Sequence, residues 1–244
     1  MMRSTSSVAS DIYPVPTIHA GCATRELMRA LTLRFFRFIH TRKHPYVIRI
    51  RDKLLIVQPT VFTPRYLNLI SLKASELLAG NLQVPAQGRV LDLGTGTGIQ
   101  GIFAASQARE VIATDLNPAA VKCARENVRI NGVKNLEVRL GDLFEPVRSE
   151  KFDLIIFLPP SFFVEPANMA EIAFMCGEKG QLLRRFCDEV GSHLTPAGKI
   201  QFSCVDRTRH FIVPLLQRNG FRCERIVHLR RLPMETVSQY LAWR

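Results

Sequence analysis

Residues 90–98 read Val-Leu-Asp-Leu-Gly-Thr-Gly-Thr-Gly, an apolar run passing straight into a glycine-rich turn and then a helical pattern. Glycine accepts positive φ and lets a ligand come close to the backbone, while the amides opening a helix face whatever lies there. Dinucleotide-binding sheets use similar turns, so the turn alone carries little. Here, however, Gly94, Gly96 and Gly98 are spaced Gly-x-Gly-x-Gly rather than Gly-x-Gly-x-x-Gly. Asp92 also stands just before the turn, where its charge would repel a pyrophosphate and attract an ammonium.

Two further acids extend the pattern. Asp115 lies in Ala-Thr-Asp-Leu-Asn-Pro, about 20 residues after the glycines, where a carboxylate can accept from both hydroxyls of a ribose. Leu116 beside it can cover an adenine face. Asp142, in Gly141-Asp142-Leu143, can accept from the adenine amino group. Helix capping would also account for Asp115 and Asp142. Acids at three successive strand ends behind a glycine turn favour instead an adenosine ligand with a positively charged amino-acid tail.

Those acids need strands to carry them. Strands are expected at 89–93, 110–114, 135–140, 152–157 and 198–205, with helices near 99–107, 117–131, 178–193 and 207–219. The runs 221–229 and 236–243 have only a Leu232-Pro233 turn region between them, too short for a crossover, so they should pair antiparallel. This is an α/β pattern: a Rossmann-like, doubly wound sheet of mostly parallel strands with an antiparallel C-terminal strand. Ahead of it, residues 24–39 have the spacing of a basic amphipathic helix, with Leu27, Leu31, Phe35 and Phe38 on its packed side. Tyr46–Val57 reads as a hairpin turning at Arg51-Asp52. Thr63-Pro64 reads as the N-cap and first position of a helix ending near Leu78. Residues 1–20 are expected to be a flexible leader, 21–80 a helical lid with the hairpin, and 81–244 the ligand-binding domain.

Composition narrows the partners. No apolar run exceeds about 7 residues, against the roughly 18 a membrane helix needs, so no membrane is expected. Cys22, Cys123, Cys176, Cys187, Cys204 and Cys223 are scattered without a Cys-x-x-Cys pair, which suits a reducing cytoplasm and argues against a disulfide framework or a metal. The formal charge of +12 is uneven: residues 1–60 hold ten cations against three acids, and residues 199–244 nine against three. Basic ends could face nucleic acid. No aromatic-interleaved basic motif accompanies them, so nucleic acid is not the favoured partner. Arg184-Arg185 reads as a solvent-facing pair, and His193 and His228 as surface or satisfied histidines rather than bases.

VLDLGTGTG, ATDLNPAAVKCARENVRING, GDLF and FDLIIFLPPSF together resemble a class I S-adenosylmethionine (SAM)-dependent methyltransferase. More narrowly they resemble the branch of protein-glutamine N5-methyltransferases and small-domain RNA methyltransferases, over about residues 55–243. The resemblance implies SAM as cofactor. Gly94, Gly96 and Gly98 would line its methionine moiety, with Asp92 near the amino group. Asp115 with Leu116 would hold the ribose and cover the adenine, and Asp142 with Leu143 would frame that base.

The fourth strand departs from that branch. Asn (or Asp)-Pro-Pro-Tyr (or Phe) is expected there, and Leu158-Pro159-Pro160-Ser161 stands in its place. In the family the Asn side chain and a prolyl carbonyl hold a planar nitrogen while the ring stacks on it. Leu158 offers no polar atom and Ser161 no ring, so the motif does not imply amide or nucleobase methylation. Leu158 would border the cofactor, and Pro159, Ser161 and Phe162 are the candidate catalytic loop, with Phe162 or Phe163 as an aromatic wall. Methyl transfer to a small molecule or a polypeptide side chain is the leading expectation, with a small-molecule substrate favoured as partner. A SAM-consuming cyclase is the alternative: SAM's own amine would close on its γ-carbon, giving azetidine-2-carboxylate and methylthioadenosine, with Ser161, Phe162 or Tyr46 facing the cation. RNA methylation is a third reading.

Overall fold

The computed structural model describes residues 44–63, 74–229 and 236–244, together with Ala30, Leu31, Arg34 and Phe38. The leader, most of the expected helix at 24–39 and residues 64–73 lie outside the described residues. Leu31 and Phe38, placed on that helix's packed side, are 50% and 72% exposed. A buried stripe through these two is therefore not what forms.

Two strands come first, β1 (Tyr46–Ile50) and β2 (Lys53–Val57), paired antiparallel across the two-residue turn Arg51-Asp52. After α1 (Ala74–Ala79) the chain alternates β3 (Arg89–Leu93), α2 (Ile99–Ala104), β4 (Glu110–Asp115), α3 (Pro118–Ile130), β5 (Leu136–Leu140) and β6 (Phe152–Phe157). It continues through α4 (Gln181–Glu189), β7 (Leu194–Val205), α5 (Asp206–Arg218), β8 (Arg222–Leu229) and β9 (Val237–Trp243). Seven strands form one sheet in the order β5-β4-β3-β6-β7-β9-β8, with β3, β4, β5, β6 and β7 parallel and β9 antiparallel to both its neighbours. The order reverses between β3 and β6. Such a switch point leaves a crevice beyond the carboxyl ends of the strands, where ligands bind in open α/β sheets.

The expected strands and helices fall within a few residues of the observed ones, with two informative differences. β7 opens at Leu194 rather than at 198, because Leu194 pairs with Phe152 before a register irregularity. The helix expected over 178–193 ends at Glu189 and tightens into a 3-10 turn, Val190–His193.

Covered on both faces, β3 and β6 are largely apolar, interrupted by Asp92 in β3 and Asp153 in β6, because neither side meets water. Leu91, Leu93, Phe157 and Phe202 pack on one face against Phe186 and Phe211. Val90, Val111, Leu154 and Ile156 pack on the other against Leu78 and Ala104. The hairpin joins a third cluster, in which Ile50 and Leu55 meet Ile99, Ile102, Val121 and Ala124. One residue bolts it down. Asn127, fully buried on α3, accepts from Ile56 N at 2.7 Å and donates to Ile56 O at 2.8 Å and to Thr97 O at 2.9 Å. The hairpin and the glycine turn thus share one side chain.

Asn127→Ala would leave those backbone groups buried and unmet, at about 1–3 kcal/mol apiece before relaxation. We expect chemical denaturation to show a loss of roughly 2–4 kcal/mol. A change below about 0.5 kcal/mol, the scale of ordinary surface substitutions, would show the hairpin to be held by its apolar contacts instead.

Candidate active site

At the switch point lies a cavity of about 200 Å³, bordered by the glycine turn, the ends of β4, β6 and β7, and the loop after Phe157. Asp92, Gly94, Gly96, Asp115, Leu116, Asp142, Leu143, Leu158, Pro159, Ser161 and Phe162 all line it. Eleven of the twelve residues singled out from sequence therefore come together in space. The twelfth does not. Gly98, expected along the methionine moiety, lies behind the turn at φ +84°, where a Cβ would come 3.3 Å from Ala124 Cβ. Its role is close packing of α2 against α3.

The turn is held from inside by the two acids. Asp92, 2% exposed, accepts from Thr95 Oγ1 at 2.6 Å and Gly101 N at 2.9 Å, both on Oδ2. Asp115 accepts from Gly96 N on Oδ2 at 2.8 Å and from Asn117 N on Oδ1 at 2.9 Å. Each carboxylate oxygen can accept twice, so Asp115 keeps capacity for the ribose hydroxyls. Gly94 (φ +68°) and Gly96 (φ +57°) need no side chain for their left-handed backbone, and a Cβ at either would point into open space. The cradle fits a ligand that lies against the backbone.

Burial pushes the Asp92 carboxyl up to about 6, against the bonds from Thr95 and Gly101 and with the help of the Asp115 charge. Burial likewise raises Asp115, against bonds from Asn117, Gly96 and Leu116. Two crowded, desolvated acids make a site that favours a cation.

Asp142, expected to accept from the adenine amino group, lines the cavity and is also engaged by Arg185, which reaches its Oδ2 at 2.8 Å. Arg185 is therefore not simply solvent-facing. Nor is Arg184, whose guanidinium lies 4.9 Å from the Phe211 ring centroid. Leu143 is held at φ +45°, a costly conformation for a bulky residue and one that clusters at ligand sites.

In the loop after β6, Phe162 is 3% exposed, meets Phe174 edge-on at 6.2 Å and carries the Arg207 guanidinium 4.7 Å from its centroid. Phe163 packs on Phe211 instead of bordering the cavity. Ser161 N donates to Phe174 O at 3.1 Å, which fixes the loop. Tyr46 bonds to Thr63 and is not among the cavity's residues. His193 is buried, with Nδ1 3.1 Å from Glu150 O and its ring on Phe144. Cys176 donates to Phe162 O, and burial pushes its thiol up to about 12, which makes it inert.

Sequence reading passed over Gln100, Ser203 and Arg207, which also line the cavity. The available signal was polarity in the wrong place: Ser203 interrupts the apolar strand Gly-Lys-Ile-Gln-Phe-Ser-Cys-Val. Among the described residues there is no group of three or more His, Cys, Asp or Glu placed to hold a metal, and no helix long and apolar enough to cross a membrane.

This seven-stranded sheet and its glycine cradle define a class I SAM-dependent methyltransferase fold. The profile of the methyltransferase small domain matches residues 55–203, and the chain belongs to that family. A putative protein N5-glutamine methyltransferase of Methanocaldococcus jannaschii is 32% identical over 205 residues, covering 81% of this chain and 99% of that protein. The release factor glutamine methyltransferase of Aliivibrio fischeri is 39% identical over 109 residues, and the match spans only 37% of its length. Among solved structures, a ribosomal protein L11 methylase from Lactobacillus delbrueckii subsp. bulgaricus aligns at TM-score 0.58 and 20% identity, covering 82% of this chain and 98% of that one, which shows the fold. The protein is an enzyme, a SAM-dependent transferase. None of the three relatives supports the cyclase reading, and none is named for the small-molecule acceptor that the sequence had favoured.

The Asp92 carboxyl sets a pH dependence. Its folded pKa, about 6, lies above the ordinary 3.8 of an aspartate, so the unliganded protein gains stability from it at low pH and loses that gain as pH rises through 6. A cation bound beside it requires the ionised form. SAM affinity measured by calorimetry should therefore rise between about pH 5 and pH 7, by up to roughly ten-fold per unit below 6. Asp92→Asn should flatten the profile; an unchanged slope in that variant would assign the dependence to another group.

Proposed function

We propose that this enzyme transfers the methyl group of SAM to a polypeptide side chain. Bound SAM supplies an intrinsically electrophilic methyl on sulfur; what the chain adds is position and dryness. Asp115 and the turn at Gly94 and Gly96 would hold the nucleoside and the amino-acid tail, with Asp92 Oδ1 left open toward the ammonium. Pro159 and Pro160 would fix the rigid loop beside the sulfonium, and Leu158 would exclude water there. The acceptor's lone pair forms the new bond to carbon, the carbon–sulfur pair returns to sulfur, and the acceptor's proton leaves to solvent.

The observation that carries the reading is the wall of the acceptor end. Leu158, Phe162, Met169, Phe174 and Leu182 line it, a slot suited to an aliphatic stem with a reactive tip. A nucleobase fits it less well, because the Phe162 ring already carries Arg207 and meets Phe174. The full-length likeness to a putative protein methyltransferase supports the same choice.

The test is incubation with methyl-labelled SAM alone, with a cell protein fraction, and with total RNA. The proposal expects S-adenosylhomocysteine and protease-sensitive label only in the protein arm. Label in RNA would overturn it, as would methylthioadenosine appearing with no acceptor added.

A further inference from the structure

We infer that Ser203, Arg207 and the opening turn of α5 form a pocket for a carboxylate on the acceptor polypeptide. This rests on transfer to a polypeptide side chain. It adds that the acceptor presents an acid, on a side chain or at its C-terminus.

The pocket is built where β7 runs into α5. β6 and β7 are parallel and Phe202 pairs with Phe157, so Ser203 stands level with Leu158 one strand away. Ser203, Cys204, Val205 and Arg207 all border the cavity, which brings the strand end and the first turn of the helix to its wall. α5 is 13 residues long, and Val205 at its N-cap has no polar side chain to meet the first amides. Those amides and the helix dipole favour a negative charge. A helix end alone names no ligand. Ser203 adds an independent sign: it is 0% exposed, and its Oγ meets no hydrogen-bond partner among the described residues. Buried polar atoms are almost always paired, and leaving one unpaired costs stability. An unmet hydroxyl at the wall of a ligand cavity is explained by a ligand that meets it.

Arg207 supplies the charge. Its guanidinium lies 4.7 Å from the centroid of Phe162. A ring takes the face of a guanidinium, whereas a carboxylate is met at its edge by parallel N–H bonds. Stacking on Phe162 therefore orients the fork without competing for an anion. A carboxylate has two oxygens and about four lone-pair sites, enough for the fork and a hydroxyl together. The neighbouring acids do not cancel the charge. Asp206, in the same turn, has its Oδ1 3.3 Å from Arg209 Nε and does not border the cavity. Asp92, Asp115 and Asp142 line the cavity from β3, from β4 and from just after β5, away from β7 across the switch point. Among the described residues, Arg207 is the one Lys or Arg in the cavity wall. The cavity is thus acidic at one end and basic at the other, matching a cationic donor and an anionic acceptor.

Three probes are titrated into the S-adenosylhomocysteine-loaded protein at neutral pH while its melting temperature is followed. The α-amide of N-acetylglutamic acid carries only a side-chain carboxylate, N-acetylalanine only a terminal one, and N-acetylalaninamide none. At least one acid should raise the melting temperature in a saturable way while the neutral amide does not, and the acid that acts names the source. Arg207→Gln should weaken the apparent affinity for that acid by roughly ten-fold or more, as loss of a charge-assisted pair does. Ser203→Ala should weaken it by roughly three- to ten-fold. Arg207→Lys, which keeps the charge without the fork, should recover only part. Should Arg207→Gln fail to fold, Ser203→Ala, the smaller change, decides. Equal responses in parent and variants, no response to either acid, an equal response to the neutral amide, or a larger response to inorganic phosphate overturns the inference. Calorimetry of S-adenosylhomocysteine on the same proteins separates the two readings. Its loss from the unsubstituted protein strikes the methyltransferase site, whereas its retention with no acid effect strikes only the carboxylate pocket.

Discussion

A glycine turn that must stay open has to be held by something other than its own side chains. Here Asp92 and Asp115 do it, each fixing backbone amides of the segment that follows β3. Neither acid is comfortable there. Burial raises both, and the Asp115 charge adds to the cost at Asp92. Two desolvated carboxylates set close together favour a cation beside them. The surrounding structure serves that support. The hairpin is tied through Asn127 to the turn at Thr97, and α3, capped by Asn117 with Pro118 in its first turn, carries Asn127 into place.

Most of this was legible in the chain because the relevant signals are local. Strand, glycine turn and acid follow one another at β3, and Asp115 and Asp142 each come at or just after a strand end, so spacing alone placed them on one edge of a parallel sheet. Gly98 misled for an instructive reason: it has the positive φ of its neighbours, but it faces Ala124 rather than the cavity. Periodicity cannot tell a glycine needed by a ligand from one needed by a helix crossing. The long-range pairs were not legible at all. Arg185 with Asp142, Asn127 with Ile56, and Ser203 with Gln239 join residues 43, 71 and 36 positions apart, and no local pattern announces such meetings.

The two sides of the cavity are built differently. The cofactor side is made of backbone and acids fixed by short-range bonds, which leaves it little latitude. The opposite side is made of apolar side chains from the loop after β6, from the Phe174 segment and from α4, with Ser203 of β7 beside them. That separation explains how a chain can keep the family's cofactor residues and yet depart from its acceptor motif.

The claim beneath all of this is that the Asp115 carboxylate and the turn it fixes form the SAM site. Titration calorimetry of SAM into the parent protein and Asp115→Ala, with melting temperatures confirming that both are folded, tests it directly. Binding by the parent and none detectable by the folded variant is the predicted result; equal affinity in the two would contradict the account.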